Sequence, residues 1–322
     1  MNTLQVKMNI VIILLFALIY AIVSGIGGYI GIHNFYFYLL LALFIMAIQY
    51  LTAPKIIEWS MGVHYVTKSQ YPKLYTMVEE LAQKANIPMP RVAISHLPIP
   101  NAFAFGRGPN DGRVCVTTGL LELLTEEELK AVLGHEITHI KNKDVLTIML
   151  LSLIPMIMYR LAWHLLFYSN RRDRGEQTNT ALIGLLAFIF YFITNLLVLY
   201  ASRIREYFAD QGSIELGNSP TALATALYKI TYGAARMEKH AIKEAEGFKA
   251  FFINDPSQAQ KDIRELSEID LDRSGTIDRD ELLALKNKNI QLTFADKMLE
   301  LLSTHPNTLK RIKRLSELAH QL

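Results

Sequence analysis

The chain has 322 residues, of which 51% are hydrophobic and 20% are charged, and its net charge is +3. Together with a positive mean hydropathy, this balance excludes an ordinary soluble protein and predicts membrane-spanning segments in part of the chain. The small net charge and the lack of a long Lys/Arg run argue against a nucleic-acid partner. The one cysteine, Cys115, cannot form an internal disulfide, so the fold does not depend on oxidation.

Four apolar segments are candidates for membrane helices. Segments 10–32 and 35–53 carry no charge, and each is long enough to cross a bilayer, so they predict a transmembrane hairpin. Segment 180–201 is a third uncharged span. Segment 145–168 carries charge near its end and has two interpretations: a membrane helix that ends in an aromatic interfacial belt, or a buried helix of a soluble domain.

The distribution of basic residues predicts an orientation. Two complete hairpins would leave the N-terminus, residues 54–144 and residues 202–322 on one side of the membrane. These parts hold nearly all of the Lys and Arg, so the positive-inside rule makes that side cytoplasmic. The loop 169–174 contains three arginines and would lie outside. Either this loop is short enough to be carried across, or the second hairpin does not cross fully.

Residues 54–144 alternate helix and strand patterns and predict a small α+β unit. The expected elements are a helix over 71–85, strands over 91–95 and 113–117, and a glycine-rich turn over 106–112. Thr125 and Glu128 then form a capping box with an acidic first turn, which predicts the start of a further helix.

That helix carries the motif that indicates chemistry. His135 and His139 are spaced i and i+4, so both imidazoles lie on one helix face and can bind one metal. Glu136 lies about 100° round the helix from His135 and can address a water on that metal. Zinc lowers the pKa of such a water to about 7, and a carboxylate can then take its proton. The alternative is an exposed polar helix with coincidental histidines, but the apolar neighbours argue against it.

A catalytic zinc needs a third protein ligand and one open position. Glu206 and Asp210 are again i and i+4 on a predicted helix, so one could ligate while the other orients a ligating histidine. Alternatively, both are surface acids paired with Arg203 and Arg205, and the spacing alone does not decide. The second apolar hairpin favours ligation, because it would return Glu206 close to the histidine motif at the membrane surface.

The sequence resembles the HtpX-type membrane metalloproteases, relatives of the CaaX prenyl-protein endopeptidases. The matching stretches are 101–104, 118–121, 133–144, 205–210 and 304–306, and they cover most of the chain from about 70 to 320. The resemblance implies a gluzincin-like zinc endopeptidase of the bacterial inner (cell) membrane that degrades misfolded membrane proteins.

The resemblance also implies roles for single residues. It makes Glu206 the third zinc ligand and Asp210 the partner of a ligating histidine. It suggests that an extended peptide binds by strand addition along the segment Asn101, Ala102, Phe103 and Ala104. His305 could donate to the oxyanion of the tetrahedral intermediate, or it could cap the helix expected over 306–318.

A twelve-residue acidic stretch departs from the family. It has the pattern of an EF-hand calcium loop, with Gly275 at the sharp turn. The expected calcium ligands are Asp270, Asp272, Ser274, Thr276, Asp278 and Glu281. The alternative is an acidic, solvated linker. We hypothesise that calcium orders this insertion and so gates the cleft. A single EF-hand usually needs a partner, which leaves open the pairing of two molecules into a homo-oligomer.

The sequence therefore predicts a mainly helical α+β membrane protein with a gluzincin-like protease domain. Its expected parts are a transmembrane hairpin (1–53), two halves of the protease domain (54–144 and 202–322) around a second hairpin (145–201), and an EF-hand-like insertion (263–285). The expected partners are membrane-protein or peptide substrates and the lipid bilayer. The alternatives are a prenyl-protein endopeptidase and a non-catalytic, calcium-responsive adaptor, although an adaptor would have no need of Glu136.

Overall fold

The structure is a computed structural model, and it describes residues 35–163, 165–166, 177–236, 253, 262–263, 266, 269–272, 274–287, 298 and 300–320. The chain divides into two compact units. The first comprises Met1–Thr52 and Leu146–Ser202, and the second comprises Ala53–Val145 and Arg203–Leu322. The predicted membrane segment 10–32 lies outside the described residues.

A four-stranded mixed sheet forms near the start of the second unit. It follows helix α1 (Phe35–Ser60), and helix α2 (Pro72–Ala85) lies between its first two strands. The strands are β1 (Val63–Tyr65), β2 (Arg91–Ser95), β3 (Ala102–Phe105) and β4 (Arg113–Thr117).

The spatial order of the sheet is β1-β2-β4-β3. The central pair, β2 and β4, is parallel, and each edge strand is antiparallel to its neighbour. The helix predicted over 71–85 and the two central strands are confirmed. The edge strands β1 and β3 were not predicted, because they are only 3 and 4 residues long. Strand β3 lies at an edge, so one side of its backbone has no strand partner in the described sheet.

Helix α4 (Glu126–Lys141) follows the short helix α3 (Thr118–Leu123) and begins as predicted. The Thr125 hydroxyl accepts a hydrogen bond from the Glu128 N–H at 3.4 Å, and the Glu128 carboxylate accepts one from the Thr125 N–H at 3.0 Å. These two bonds form the capping box and satisfy backbone donors that the helix leaves unpaired.

Two long apolar helices follow, α5 (Asp144–Trp163) and α6 (Gln177–Glu215). Within the part of the chain that the structure describes, the segment Leu182–Glu215 is the one helix found long and apolar enough to cross a membrane. The apolar part of α5, Asp144–Tyr159, is shorter. The presence of a membrane helix is therefore supported, and the total of four spans stays a prediction.

The C-terminal helices complete the core of the second unit: α7 (Pro220–Ala235), α8 (Arg279–Asn287) and α9 (Thr308–Ala319). Helix α4 lies at the centre of this core, because its Leu133 and Ile137 have no exposed surface. They share one hydrophobic cluster with residues of α2, β4, α7 and α9. Burying such side chains contributes about 1.5–3 kcal/mol each, so α4 is fixed on several sides at once.

Two glycines bring α4 close to the C-terminal part of α6. A Cβ on Gly134 would lie 2.2 Å from Asn218 Nδ2 and 2.8 Å from Ser213 Oγ. A Cβ on Gly212 would lie 2.3 Å from Thr138 Cγ2. A Cβ at either position would overlap these side chains, so the two glycines permit the close approach at which residues of α6 face those of α4.

Candidate metal centre

The two histidines of the α4 motif point their Nε2 atoms at one another. The two Nε2 atoms are 3.1 Å apart, and the rings meet edge-on with centroids 4.7 Å apart. His135 is buried and His139 is partly exposed. The helical spacing therefore presents two imidazole nitrogens at one point, as the sequence predicts.

Glu206 completes the cluster from α6. Its carboxylate oxygens lie 3.5 Å from His135 Nε2 and 3.5 Å from His139 Nε2. A tetrahedral zinc with ligands at about 2.0–2.1 Å would separate its ligand atoms by roughly 3.3–3.4 Å. The observed separations of 3.1 and 3.5 Å fit that geometry. The buried Glu206 Oε2 also has no hydrogen-bond partner among the described residues, so the donor set suits zinc.

The alternative interpretation of Glu206 and Asp210 as surface acids is wrong. Both are buried, at 7% and 2% exposure. Arg203 and Arg205 are buried as well. Arg203 donates to the Ser303 carbonyl at 2.7 Å, and Arg205 pairs with Asp144 at 2.9 Å.

Each histidine is held from behind by an aspartate. His135 Nδ1 lies 2.9 Å from Asp210 Oδ1, and His139 Nδ1 lies 2.6 Å from Asp144 Oδ2. A carboxylate at Nδ1 fixes the tautomer that leaves Nε2 free for a metal. Asp210 was predicted in this role from the sequence, whereas Asp144 was not. In the sequence, Asp144 lies in the first turn of an apolar helix, where an acidic residue is equally well explained by a favourable interaction with the helix dipole.

Arg311 is a further residue that sequence reasoning missed. It is fully buried, and its Nε and Nη2 donate to the two oxygens of Asp210 at 2.9 and 2.7 Å. Its Nη1 donates to the Ile253 carbonyl at 2.7 Å. Along the sequence, Arg311 is one of several basic residues on an amphipathic helix, so only its burial distinguishes it.

Burial and neighbouring charges shift the pKa values of the α4 residues. Burial alone would lower the pKa of His135, but the adjacent carboxylates of Asp210 and Glu206 outweigh it and raise that pKa to about 9. Burial lowers the pKa of His139 to about 4. Burial raises the pKa of Glu136. A more basic carboxylate is a better proton acceptor, as a general base requires.

Glu136 also contacts the edge of the sheet. Its Oε2 accepts a hydrogen bond from the Ala104 backbone N–H at 2.7 Å. Because β3 is an edge strand, its backbone and the acidic group of the motif lie side by side. This is the arrangement in which a peptide added to the strand would pass the metal centre.

His305 lies at the same centre. Its Nδ1 is 3.5 Å from Glu206 Oε2, and neither ring nitrogen has a hydrogen-bond partner in the described part of the chain. The alternative role of His305 as a helix cap is wrong, because the Asn307 side chain caps α9 by accepting from the Lys310 N–H at 3.3 Å.

Comparison with known proteins assigns the family. Residues 68–319 match Peptidase family M48. The chain belongs to peptidase family M48. It is similar to the protease HtpX homologue of Methanothermobacter thermautotrophicus, with 50% identity over 70% of this chain and 85% of the relative. The protease HtpX homologue of Aquifex aeolicus is 35% identical over 94% of this chain and 90% of the relative. The predicted resemblance is confirmed, and the chain is an HtpX-type metallopeptidase.

The M48 peptidase segment expected to bind substrate is largely occupied by packing. Asn101, Ala102 and Phe103 are at most 2% exposed. The Asn101 side chain accepts from the Ile253 N–H at 3.0 Å. Of the four predicted residues, Ala104 is the one that contacts the motif. We therefore do not expect the side chains of Asn101, Ala102 and Phe103 to contact a substrate. The backbone of β3 is the part of this segment that could still bind one.

The acidic loop of the M48 chain folds into a compact turn. Ligand atoms of Asp270, Asp272 and Glu281 lie within 4.8 Å of one another, and Gly275 has a φ of +80°. Asp278 stands outside this cluster and accepts from the Glu281 N–H at 2.8 Å. In EF-hands this ninth position often reaches calcium through a water.

The remaining predicted ligands, Ser274 and Thr276, hydrogen-bond to each other through their hydroxyls at 2.9 Å. The loop is attached to α7: the Ile277 N–H and C=O both bond to the Thr225 hydroxyl, at 3.1 and 2.9 Å. These two backbone groups are therefore hydrogen-bonded within the chain, and the pairing of two molecules stays a prediction.

The geometry behind His135 predicts the effect of Asp210→Asn. An amide can still touch the ring, but it cannot stabilise the same tautomer or the charge of Arg311, so zinc affinity should fall about 10–100-fold. Competition with a chromogenic chelator measures this affinity in purified protein. Glu122→Gln neutralises an exposed carboxylate and should leave the affinity unchanged. Equal affinity in wild type and Asp210→Asn would contradict the role of Asp210.

Proposed function

We propose that the chain is a zinc-dependent membrane endopeptidase that cleaves misfolded or damaged membrane proteins near the cytoplasmic surface. The observation that carries the proposal is the convergence of His135, His139 and Glu206 on one point, with Glu136 beside them. Membership of M48, whose metallopeptidases use zinc, makes zinc the metal that the site would hold.

Zinc, when bound, would supply a water with a pKa of about 7 and a Lewis acid for the scissile carbonyl. Glu136 takes the proton from the attacking water and passes it to the departing amine nitrogen, so the peptide bond is replaced by a carboxyl group and a free amine. Asp210 and Asp144 keep the two imidazoles oriented throughout. His305 lies beside Glu206, and its ring nitrogens have no hydrogen-bond partner among the described residues. It donates to the oxyanion that develops.

The free edge of β3 orients the substrate backbone. The Asn101 carbonyl accepts from the Thr117 N–H on β4, so the strand alternation turns the backbone groups of Ala102 and Ala104 away from β4. An extended peptide can pair with this edge by strand addition. The Ala104 N–H now bonds to Glu136, so an arriving peptide carbonyl would compete for that donor.

A membrane location near the site supports substrates that emerge from the bilayer. Glu206 follows the apolar segment 180–201 by five residues on the same helix, α6, which is about 7 Å of helix rise. The Lys and Arg on the flanking regions favour the cytoplasmic side. Peptide bonds just outside the hydrocarbon region would therefore be those that the centre reaches.

Calcium binding by the acidic loop is the further part of this proposal. The spacing of acids, the positive φ of Gly275 and the clustering of Asp270, Asp272 and Glu281 support it. Through Thr225 the loop is joined to α7, and α7 is joined to the motif helix by Lys229, which donates to Glu128 at 2.8 Å. Calcium that orders the loop would therefore act on α4 through α7.

Glu136→Gln tests the catalytic assignment. The amide cannot accept the proton of the attacking water, so kcat for casein cleavage or self-cleavage should fall about 10²–10⁴-fold, while zinc content stays equal to that of the wild type. Glu206→Ala should instead lose zinc. Full activity of Glu136→Gln in the purified membrane protein would overturn the protease mechanism.

The same inactive variant tests strand addition. A peptide that wild type cleaves should bind Glu136→Gln, and N-methylation at alternate amides should weaken binding in one register only, because the added strand pairs through every second residue. Equal binding of peptides methylated in either register would contradict pairing with β3.

His305→Ala should lower kcat about 10²–10³-fold by removing an oxyanion donor, with smaller changes in KM and in zinc content. His320→Ala, which removes an exposed histidine at the end of α9, is the matched control and should leave both constants unchanged. A change confined to KM would place His305 in substrate binding rather than in stabilising the oxyanion.

Glu281→Gln tests the calcium site. It removes a charge from the twelfth position, which supplies a bidentate ligand in EF-hands, so calcium affinity measured by calorimetry should fall by about an order of magnitude or more. Asp280→Asn changes an exposed neighbour in the same loop and should keep the wild-type affinity.

If calcium gates the cleft, chelating calcium should alter the rate of cleavage in a zinc-buffered assay. Unchanged activity would refute the gating hypothesis.

A further inference from the structure

The two histidines of the metal centre are supported unequally. Behind His135, the three guanidinium nitrogens of Arg311 all donate, two to Asp210 and one to the Ile253 carbonyl. Behind His139, one carboxylate oxygen serves two partners: Asp144 Oδ2 lies 2.6 Å from His139 Nδ1 and 2.9 Å from Arg205 Nη2. His139 therefore depends on a single shared oxygen.

Arg205 depends on that same oxygen. It is 7% exposed, and its Nε and Nη1 have no hydrogen-bond partner among the described residues. A buried cation without its counter-ion is costly, and so is a buried carboxylate. Removal of either member would leave the other charge buried and would free the imidazole of His139 to rotate.

The pair also connects the ligands to each other. Arg205 immediately precedes Glu206 on α6, and Asp144 is the first residue of α5. The Asp144–Arg205 ion pair thus ties the side chain of one ligand, His139, to the backbone that carries another, Glu206. The Arg311 bonds described above serve Asp210 and the Ile253 carbonyl on the side of His135, so they do not replace this connection to His139.

We propose that Asp144 and Arg205 are a positioning pair that holds His139 and determines how fast zinc leaves the centre. His139 is the more exposed of the two histidines, with a side chain 16% exposed against 2% for His135. Release of zinc therefore begins with rotation of His139, and the ion pair resists that rotation. The inference rests on the proposed function only in taking zinc as the metal.

The test measures zinc release from the full-length protein in detergent, in the Glu136→Gln background to prevent self-cleavage. Arg205→Met keeps an apolar stem and removes the charge. It should speed zinc dissociation into a chelating dye about 10–100-fold, the range found when a ligand's supporting residue is lost. The control is Arg91→Met, because Arg91 also pairs with one aspartate, Asp111 at 3.3 Å, but is exposed. It should release zinc at the unsubstituted rate.

Further variants separate positioning from a general loss of structure. Arg205→Lys should restore slow release at least in part, because an ammonium can still pair with Asp144. Asp144→Asn should release zinc quickly, and the double change Asp144→Asn with Arg205→Met should release it no faster, since residues of one network are not additive. In the cobalt-substituted protein, the visible absorption bands should shift for Arg205→Met and not for Arg91→Met.

Two outcomes would overturn the inference while leaving the proposed function intact: zinc release from Arg205→Met within twofold of the background rate, or rate increases that simply multiply in the double variant. If Arg205→Met does not fold, the rates of zinc release from Asp144→Asn and Arg205→Lys provide the same comparison between a broken and a retained ion pair. If the wild-type protein retains no zinc at all, the proposed function fails together with this inference.

Discussion

The close approach of α4 and α6 is the constraint on which the metal centre depends. The two histidines come from one helix and Glu206 from the other, so the separation of the helix axes decides whether three ligand atoms can meet. Gly134 and Gly212 make that separation small, because a Cβ at either site would overlap its neighbour at 2.2 or 2.3 Å. The Ser213 hydroxyl, which donates to the Ala131 carbonyl at 2.6 Å, then fixes the register of the two helices.

The close packing of α4 and α6 brings buried charged groups together. The need to pair these charges explains why arginines and histidines surround the buried carboxylates. Glu206, Asp210 and Asp144 would be unstable in an apolar core by themselves. Arg205 pairs with Asp144, and Arg311 pairs with Asp210 and, at 3.5 Å, with Glu206. The imidazoles approach all three carboxylates. Among the described residues, Glu206 Oε2 and both ring nitrogens of His305 are buried without a hydrogen-bond partner. These three atoms lie where zinc and a substrate would bind.

The sequence predicted the parts of the site that local geometry dictates. An i, i+4 histidine pair and a capping box are properties of one helix, and both appear as expected. What the sequence left undecided was long-range: Glu206 read equally well as a surface acid, and Arg311 as an ordinary basic residue of an amphipathic helix. The burial of these residues and the edge position of β3 both result from packing among distant segments. The periodicity of a single segment cannot indicate such packing.

The acidic loop is joined to this core through α7 and does not contribute residues to the metal centre. Its central residue, Ile277, is 1% exposed and bonds to Thr225 through both backbone groups, while Asp270 accepts from the Tyr228 hydroxyl at 3.0 Å. Both partners lie on α7, the helix that Lys229 ties to the N-terminal turn of α4. A change of charge in the loop would therefore be felt first near the start of the motif helix, at Glu128, about two turns before His135. This route bypasses the Asp144–Arg205 pair, so the contacts of the acidic loop and the support of His139 lie at opposite ends of α4.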